Sequence, residues 1–166
     1  MPPHASQAPQ PIEERATVIA VCGSGAEDAH LNTQAEAVGR LIAQRGATLI
    51  CGGLGGVMAA ACRGASQAGG LTVGILPSAD PTTANPHVQV AVATGLGHAR
   101  NAIIVQSAAA VIAIGGEYGT LSEIALARKV GRPVVGLDSW PLGEPHLTTA
   151  GDPETAVALA FALAGR

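Results

Sequence analysis

Aromatic side chains are almost missing from this chain: they make up 2% of its 166 residues, as one Trp, one Tyr and one Phe. Stacking of bases on rings, the usual grip on single-stranded nucleic acid, is therefore poorly served. Basic charge is scarce as well. Nine Lys and Arg against twelve Asp and Glu leave a net charge of −3, and no basic stripe exists to neutralise a phosphate backbone, so no nucleic-acid partner is expected. Lys129 is the sole lysine, near the end of an amphipathic helical segment and beside Arg128, which argues against a pyridoxal enzyme with its Schiff-base lysine. No apolar run reaches the roughly 20 residues of a membrane span. The longest, Ala102 to Ile114, is broken by Gln106 and Ser107, so no membrane partner is expected. The chain lacks a basic-then-apolar start, and its first residues are a Pro-, Gln- and Ala-containing stretch, so residues 1–15 read as a disordered tail rather than a signal peptide. Cys22, Cys51 and Cys62 are odd in number and lack ligand spacing. They read as reduced thiols of a cytoplasmic protein, and no metal site is expected.

What the chain has is aliphatic. Apolar residues make up 48% of it, mostly Ala, Val, Ile and Leu, which suits strands buried on both faces of a parallel sheet. Apolar runs at Ala16–Cys22, Ala47–Cys51, Leu71–Leu76, His87–Ala93, Ala108–Ile114 and Pro133–Leu137 read as strands, with Leu147–Ala150 as a short edge strand. Helical segments fall between them. In Asp28–Arg45 the apolar positions Leu31, Ala35, Val38, Leu41 and Ile42 recur at helical spacing, and Gly46 closes the helix. Further helices are expected over Val57–Ala68, His98–Ala109 and Leu121–Val130, and after Asp152-Pro153-Glu154, where Pro suits the first turn and the acids suit the positive end of the helix. Ser78–Pro86 and Ser139–Pro145 read as loops. The alternation predicts an α/β fold over residues 16–166 in a single domain: an open parallel sheet of about six or seven strands with helices on both faces. Ligands bind such sheets at the carboxyl ends of the strands, where strand order reverses.

Three glycine-rich turns follow the first, second and fifth strands, all on that edge: Gly23-Ser24-Gly25, Gly52-Gly53-Leu54-Gly55-Gly56, and Gly115-Gly116-Glu117-Tyr118-Gly119-Thr120. Glycine lets a backbone approach a ligand closely, and a helix start offers unpaired N–H groups and partial positive charge to an anion such as phosphate. A single pocket for a phosphorylated small molecule is the economical reading. The third turn also has a purely structural reading, because Thr120-Leu-Ser-Glu123 matches a capping box. Neither common phosphate motif is present. The dinucleotide fingerprint fails at all three turns, with Asp28 and Met58 where its last glycine would stand in the first two and no G-x-G in the third. No Gly-Lys-Ser/Thr exists to make a P-loop, and no G-x-S-x-G elbow to make a hydrolase nucleophile. Arg100 lies near a predicted helix start, where a cation opposes the helix dipole. It is placed to face an anion or a carboxylate, or else to pair with a surface acid.

With these residues in view the chain resembles the LOG family in its small bacterial branch, from about Val18 to Leu137. Cys22-Gly23-Ser24 matches the family's first turn, Cys51-Gly-Gly-Leu-Gly-Gly-Val-Met58 its second, and Gly115-Gly116-x-x-Gly119-Thr120-x-x-Glu123 its P-G-G-x-G-T-x-x-E signature. The resemblance implies a Rossmann-like fold and a homo-oligomer, dimer or tetramer. It also implies hydrolysis of the N-glycosidic bond of a nucleoside 5′-monophosphate to free base and ribose 5-phosphate. Carried over by position, Arg100 and Glu123 would be the catalytic pair. Gly116, Gly119 and Thr120 would hold the phosphate, with Gly23, Ser24, Gly52, Gly53, Gly56, Met58, Asn101 and Gly115 completing the ligand site. The family's frequent label of lysine decarboxylase does not suit a chain with one lysine. Three departures stand out: Ile114 replaces the signature's Pro, Glu117-Tyr118 put an extra residue in the turn, and Asn101 replaces the usual Lys. These features resemble a sister branch that includes the molybdenum cofactor carrier proteins, which bind a phosphorylated pterin without turning it over. On that alternative the molybdenum cofactor would be cargo, and no resident cofactor is expected on either.

Overall fold

The computed structural model describes residues 15–165. The tail expected over residues 1–15 falls, but for Arg15, outside them. Among the described residues, seven strands and five α-helices follow in the order β1 (Val18–Gly23), α1 (Ala29–Gln44), β2 (Thr48–Cys51), α2 (Val57–Gln67), β3 (Thr72–Leu76), β4 (Val90–Ala93), α3 (Asn101–Ser107), β5 (Ala110–Ile114), α4 (Tyr118–Lys129), β6 (Val134–Leu137), β7 (Thr148–Ala150) and α5 (Pro153–Ala164). All seven strands are parallel neighbours in one sheet, in the order β4-β3-β2-β1-β5-β6-β7. The chain builds outward from β1 to β4 and then crosses back to lay β5 against the other side of β1. The reversal therefore lies between β1 and β5, which are in register from Ile19↔Ala110 to Gly23↔Ile114.

Strand alternation divides the core between the two faces of the sheet. Ile19 and Val21 of β1 pack with Ala35, Val38 and Ile42 of α1, Ala61 and Ala65 of α2, and Val157 of α5. Ala20 and Cys22 point the other way, to Ile104 and Val105 of α3 and Ile124 and Ala127 of α4. Helices α1 and α2 meet closely because both present glycine at the contact. A Cβ on Gly39 would stand 1.9 Å from the Ala61 carbonyl oxygen, and one on Gly64 would stand 2.0 Å from that of Glu36.

Three segments differ from the sequence expectation. The helix expected at His98–Ala109 divides into a 3-10 turn, Gly97–Arg100, and the shorter α3, with the Arg100 Nε donating to the Ile75 carbonyl at 2.9 Å just where the two meet. The loop Ser78–Pro86 contains a 3-10 turn, Pro81–Thr83, whose start is held by the Asp80 carboxylate accepting from the Thr82 N–H at 2.9 Å. Helix α4 begins at Tyr118, three residues before the expected Leu121. Gly115 (φ +56°) and Gly116 (φ +120°) turn the chain within two residues, so Glu117 already occupies the cap position. Thr120 is then the third residue inside the helix, and it forms no capping box with Glu123.

Candidate functional site

The turns after β1, β2 and β5 and the segment around Arg100 converge on a cavity of about 190 Å³ at the β1/β5 reversal. Its walls place the helix ends to advantage. The starts of α1 and α5 are closed by carboxylates, Asp28 accepting from the Leu31 N–H at 3.0 Å and Asp152 from the Thr155 N–H at 2.7 Å. Helices α2 and α4 have Gly56 and Glu117 at the cap position and no side-chain cap bond. Met58 near the start of α2 and Gly119 and Thr120 near the start of α4 line the cavity. The starts of α2, α3 and α4 at the cavity thus lack a side-chain cap, and beyond the Val57 N–H, which donates to the Ser24 carbonyl at 3.0 Å, the starts of α2 and α4 offer N–H donors and partial positive charge that suit an anion.

Arg100, 7% exposed, and Glu123, 7% exposed, enter the same cavity from opposite elements. Arg100 is fixed from behind: Nε donates to the Ile75 carbonyl and Nη1 to the Asn101 Oδ1. Its Nη2 lies against Gly52, where a Cβ would stand 2.6 Å away, and has no hydrogen-bond partner among the described residues. Asn101 is also buried, and its Nδ2 donates to the Ser122 Oγ at 3.4 Å. No ion pair within 4.0 Å joins Arg100 to Glu123. Burial pushes the Glu123 carboxyl up to about 7, with the Arg100 charge and the neighbouring Cys22 thiol pulling it down. Burial and the Glu123 charge raise Cys22 in turn, so it stays a neutral thiol. Arg100 is drawn below its usual range by burial, against the pull of Glu123 and Cys51. The result is a nearly dry guanidinium with a free edge beside a carboxyl group poised to change charge near neutral pH.

Of the residues singled out in the sequence, Gly23, Ser24, Met58, Arg100, Asn101, Gly119, Thr120 and Glu123 line the cavity. The other glycines shape it from behind. Gly52 makes room for Arg100. Gly53 (φ +75°) packs on Leu76 and Gly74 and donates to the Cys51 Sγ at 3.3 Å. Gly56 (φ +59°) brings the second turn against the first, since a Cβ there would stand 2.4 Å from the Ser24 carbonyl oxygen. Gly115 and Gly116 face Leu31 and Thr120. Four further residues line the cavity: Gly25, Leu54, His98 and Glu117. From the sequence, His98 can line a site or simply be polar loop surface, and the structure places it on the cavity wall. Glu117 and Tyr118 stand where the signature has one residue, and the Glu117 Oε1 accepts from the Ser24 Oγ at 3.2 Å across the reversal. The three cysteines are buried free thiols, Cys51 and Cys62 with sulfurs 3.5 Å apart. Among the described residues no helix is long and apolar enough to cross a membrane.

Residues 16–162 match the family model described as the SLOG cluster4 family. A protein of Archaeoglobus fulgidus described as uncharacterized is 50% identical over 119 residues, covering 72% of this chain and 78% of its own. Among solved structures, the molybdenum cofactor binding protein of Rippkaea orientalis superimposes with a TM-score of 0.85 at 39% identity, over 90% of this chain and 98% of that one. The molybdenum cofactor carrier protein of Chlamydomonas reinhardtii does so with a TM-score of 0.82 at 34% identity, over 92% and 100%. The Rossmann-like α/β fold expected from the sequence is the fold these chains share.

Proposed function

The chain belongs to the SLOG cluster4 family, and from that membership we propose that it binds a phosphorylated heterocyclic small molecule, foremost a phosphorylated pterin of the molybdenum cofactor type, and holds it without turnover. The observation that carries this reading is the free Arg100 Nη2 in a cavity faced by two uncapped helix starts. The Nη2 edge opens on the cavity with no protein acceptor among the described residues, and a phosphate oxygen is the acceptor that a guanidinium edge pairs with best. The likeness to two molybdenum cofactor proteins favours the pterin over other phosphates. In this reading the cofactor is cargo. Arg100, Thr120 and the N–H groups at the starts of α2 and α4 grip its phosphate, and Asn101 holds the guanidinium in place. Arg100→Ala is expected to weaken binding of a pterin monophosphate by tenfold or more in calorimetry, as loss of a charged hydrogen bond does. An unchanged affinity contradicts the proposal.

A specific observation favours a second reading. A carboxyl group pushed to about 7 beside an arginine is suited to acid–base chemistry. Ionised Glu123 would stabilise the oxocarbenium character that builds on a ribose as a base departs, the chemistry of nucleoside 5′-monophosphate hydrolysis. Release of ribose 5-phosphate from such a substrate, abolished by Glu123→Gln while binding persists, would establish it. A cytoplasmic homo-oligomer, dimer or tetramer, is part of both readings, rests on the family resemblance, and is checked by sedimentation and fractionation.

A further inference from the structure

Two of the chain's three aromatic residues stand together beside the Gly115–Gly116 turn. Tyr118, 81% exposed, and Trp140 have ring centroids 5.7 Å apart and tilted by 41°. Trp140 is held by its Nε1 donating to the Glu117 carbonyl at 3.2 Å, and it lines an open recess of about 380 Å³ with Leu31, Gly115, Gly116, Asp138 and Ser139. The Ser139 Oγ donates to the Gly115 carbonyl at 2.7 Å, which ties the two sides of the recess together. Gly115 and Gly116 let Leu31 and Thr120 pack directly against the turn, so one wall of the recess is Leu31 over backbone.

Asp138 is the one non-glycine residue at positive φ among the described residues, +48°. Aspartate is among the few non-glycine residues that enter the left-handed region, as a single residue whose side chain is fixed by local bonds. Here the hold comes from α1: His30 Nε2 lies 3.0 Å from the Asp138 Oδ2, and Gln34 Nε2 donates to the same oxygen at 3.0 Å. These bonds keep the carboxyl below its usual range, hence ionised. Oδ1 has no protein partner among the described residues and is free to accept from a ligand.

We infer that this recess is a subsite for a planar heterocycle whose edge carries N–H donors, of the 2-amino-4-oxopyrimidine type shared by pterins and guanine, with the ring on Trp140 and its donor edge on Asp138. The inference rests on the proposed reading of the Arg100 cavity, whose phosphate belongs to the same ligand. Glu117 joins the two halves. Its carboxylate accepts from Ser24 in the cavity, and its carbonyl accepts from Trp140 in the recess. The extra residue in the turn is therefore what sets an aromatic wall beside a phosphate cradle. Stacking and a charged donor–acceptor edge supply ring selectivity that the aliphatic cavity lacks.

Trp140 is the sole tryptophan, so its fluorescence reports this recess alone. The test compares a pterin monophosphate, guanosine 5′-monophosphate, adenosine 5′-monophosphate and ribose 5-phosphate by calorimetry and by Trp140 emission. The pterin and guanine compounds are expected to bind about tenfold or more tighter than the other two and to change the emission, whereas ribose 5-phosphate binds without changing it. Asp138→Asn keeps a residue that tolerates the left-handed backbone, and Asp138→Gly relieves it. Both are expected to erase the tenfold preference and to leave ribose 5-phosphate affinity unchanged. If the preference survives both substitutions and Trp140→Leu, or if the pterin binds with silent emission, the subsite is overturned while phosphate binding stands. If no phosphorylated probe binds, the reading of the cavity fails, and the subsite with it.

Discussion

Glu123 brings a buried carboxyl to the cavity, and its burial sets the sign of two effects. Its carboxyl rises from 4.5 to about 7 on folding, so ionising it opposes the folded state. The stabilising contribution of the protonated form is complete below the unfolded value and is lost as pH climbs through about 7, a span worth about 3 kcal/mol. Glu123→Gln removes that penalty. Thermal melts are expected to show the variant gaining on the wild type from about pH 4.5 to about pH 7 and levelling off above, and a constant difference would contradict the burial account. The same carboxyl shapes binding. A phosphate beside it favours the protonated form, so affinity is expected to fall above about pH 7 by up to tenfold per pH unit, and to stay flat in Glu123→Gln. Calorimetry in buffers of different ionisation enthalpy reads the proton taken up. At this scale the sequence singles out Arg100 and Glu123, and the structure brings both to one cavity. The sequence did not reveal that Cys22 adjoins the carboxyl or that Asn101 braces the guanidinium, because those contacts join residues distant in the chain or depend on rotamers.

Among the elements, helix starts divide into two kinds, and the division was partly legible. Asp28 and Asp152-Pro153 announced α1 and α5, and the structure uses both as caps. Asp80-Pro81 carried the same signal inside a segment read as loop, and there it starts a single 3-10 turn. At α4 the reading went astray because Thr120-Leu-Ser-Glu123 imitates a capping box inside a helix that has already begun. Two consecutive glycines at positive φ start that helix early, and φ is not written in a glycine's identity. The α1–α2 contact yields a further prediction. Gly39→Ala improves helix propensity by about 1 kcal/mol, yet its Cβ would stand 1.9 Å from the Ala61 carbonyl oxygen. The clash is with backbone and cannot be relieved by a rotamer, so a net loss of about 1–3 kcal/mol in denaturant unfolding is expected. A gain in stability would show that the two helices are not so closely apposed.

At the scale of the whole molecule, alternating apolar runs and glycine breaks sufficed to predict a parallel sheet covered on both faces, including the short seventh strand. The position of the reversal was less accessible, since nothing local says that β5 returns to β1 rather than extending the sheet beyond β4. That return gathers three glycine turns and Arg100 into one cavity. The recess at Asp138 and Trp140 was not foreseen, because it forms where the loop after β6 meets α1 and the extra residue before α4. The central claim is that the chain holds a phosphorylated pterin rather than cleaving a nucleotide. It is tested most directly by one measurement: the protein is incubated with a pterin monophosphate and a panel of nucleoside 5′-monophosphates, and complex formation and ribose 5-phosphate release are followed together. The account predicts a stable pterin complex, weakened by Arg100→Ala, with no sugar phosphate released from any member. Multiple-turnover release of ribose 5-phosphate, abolished by Glu123→Gln, would contradict it.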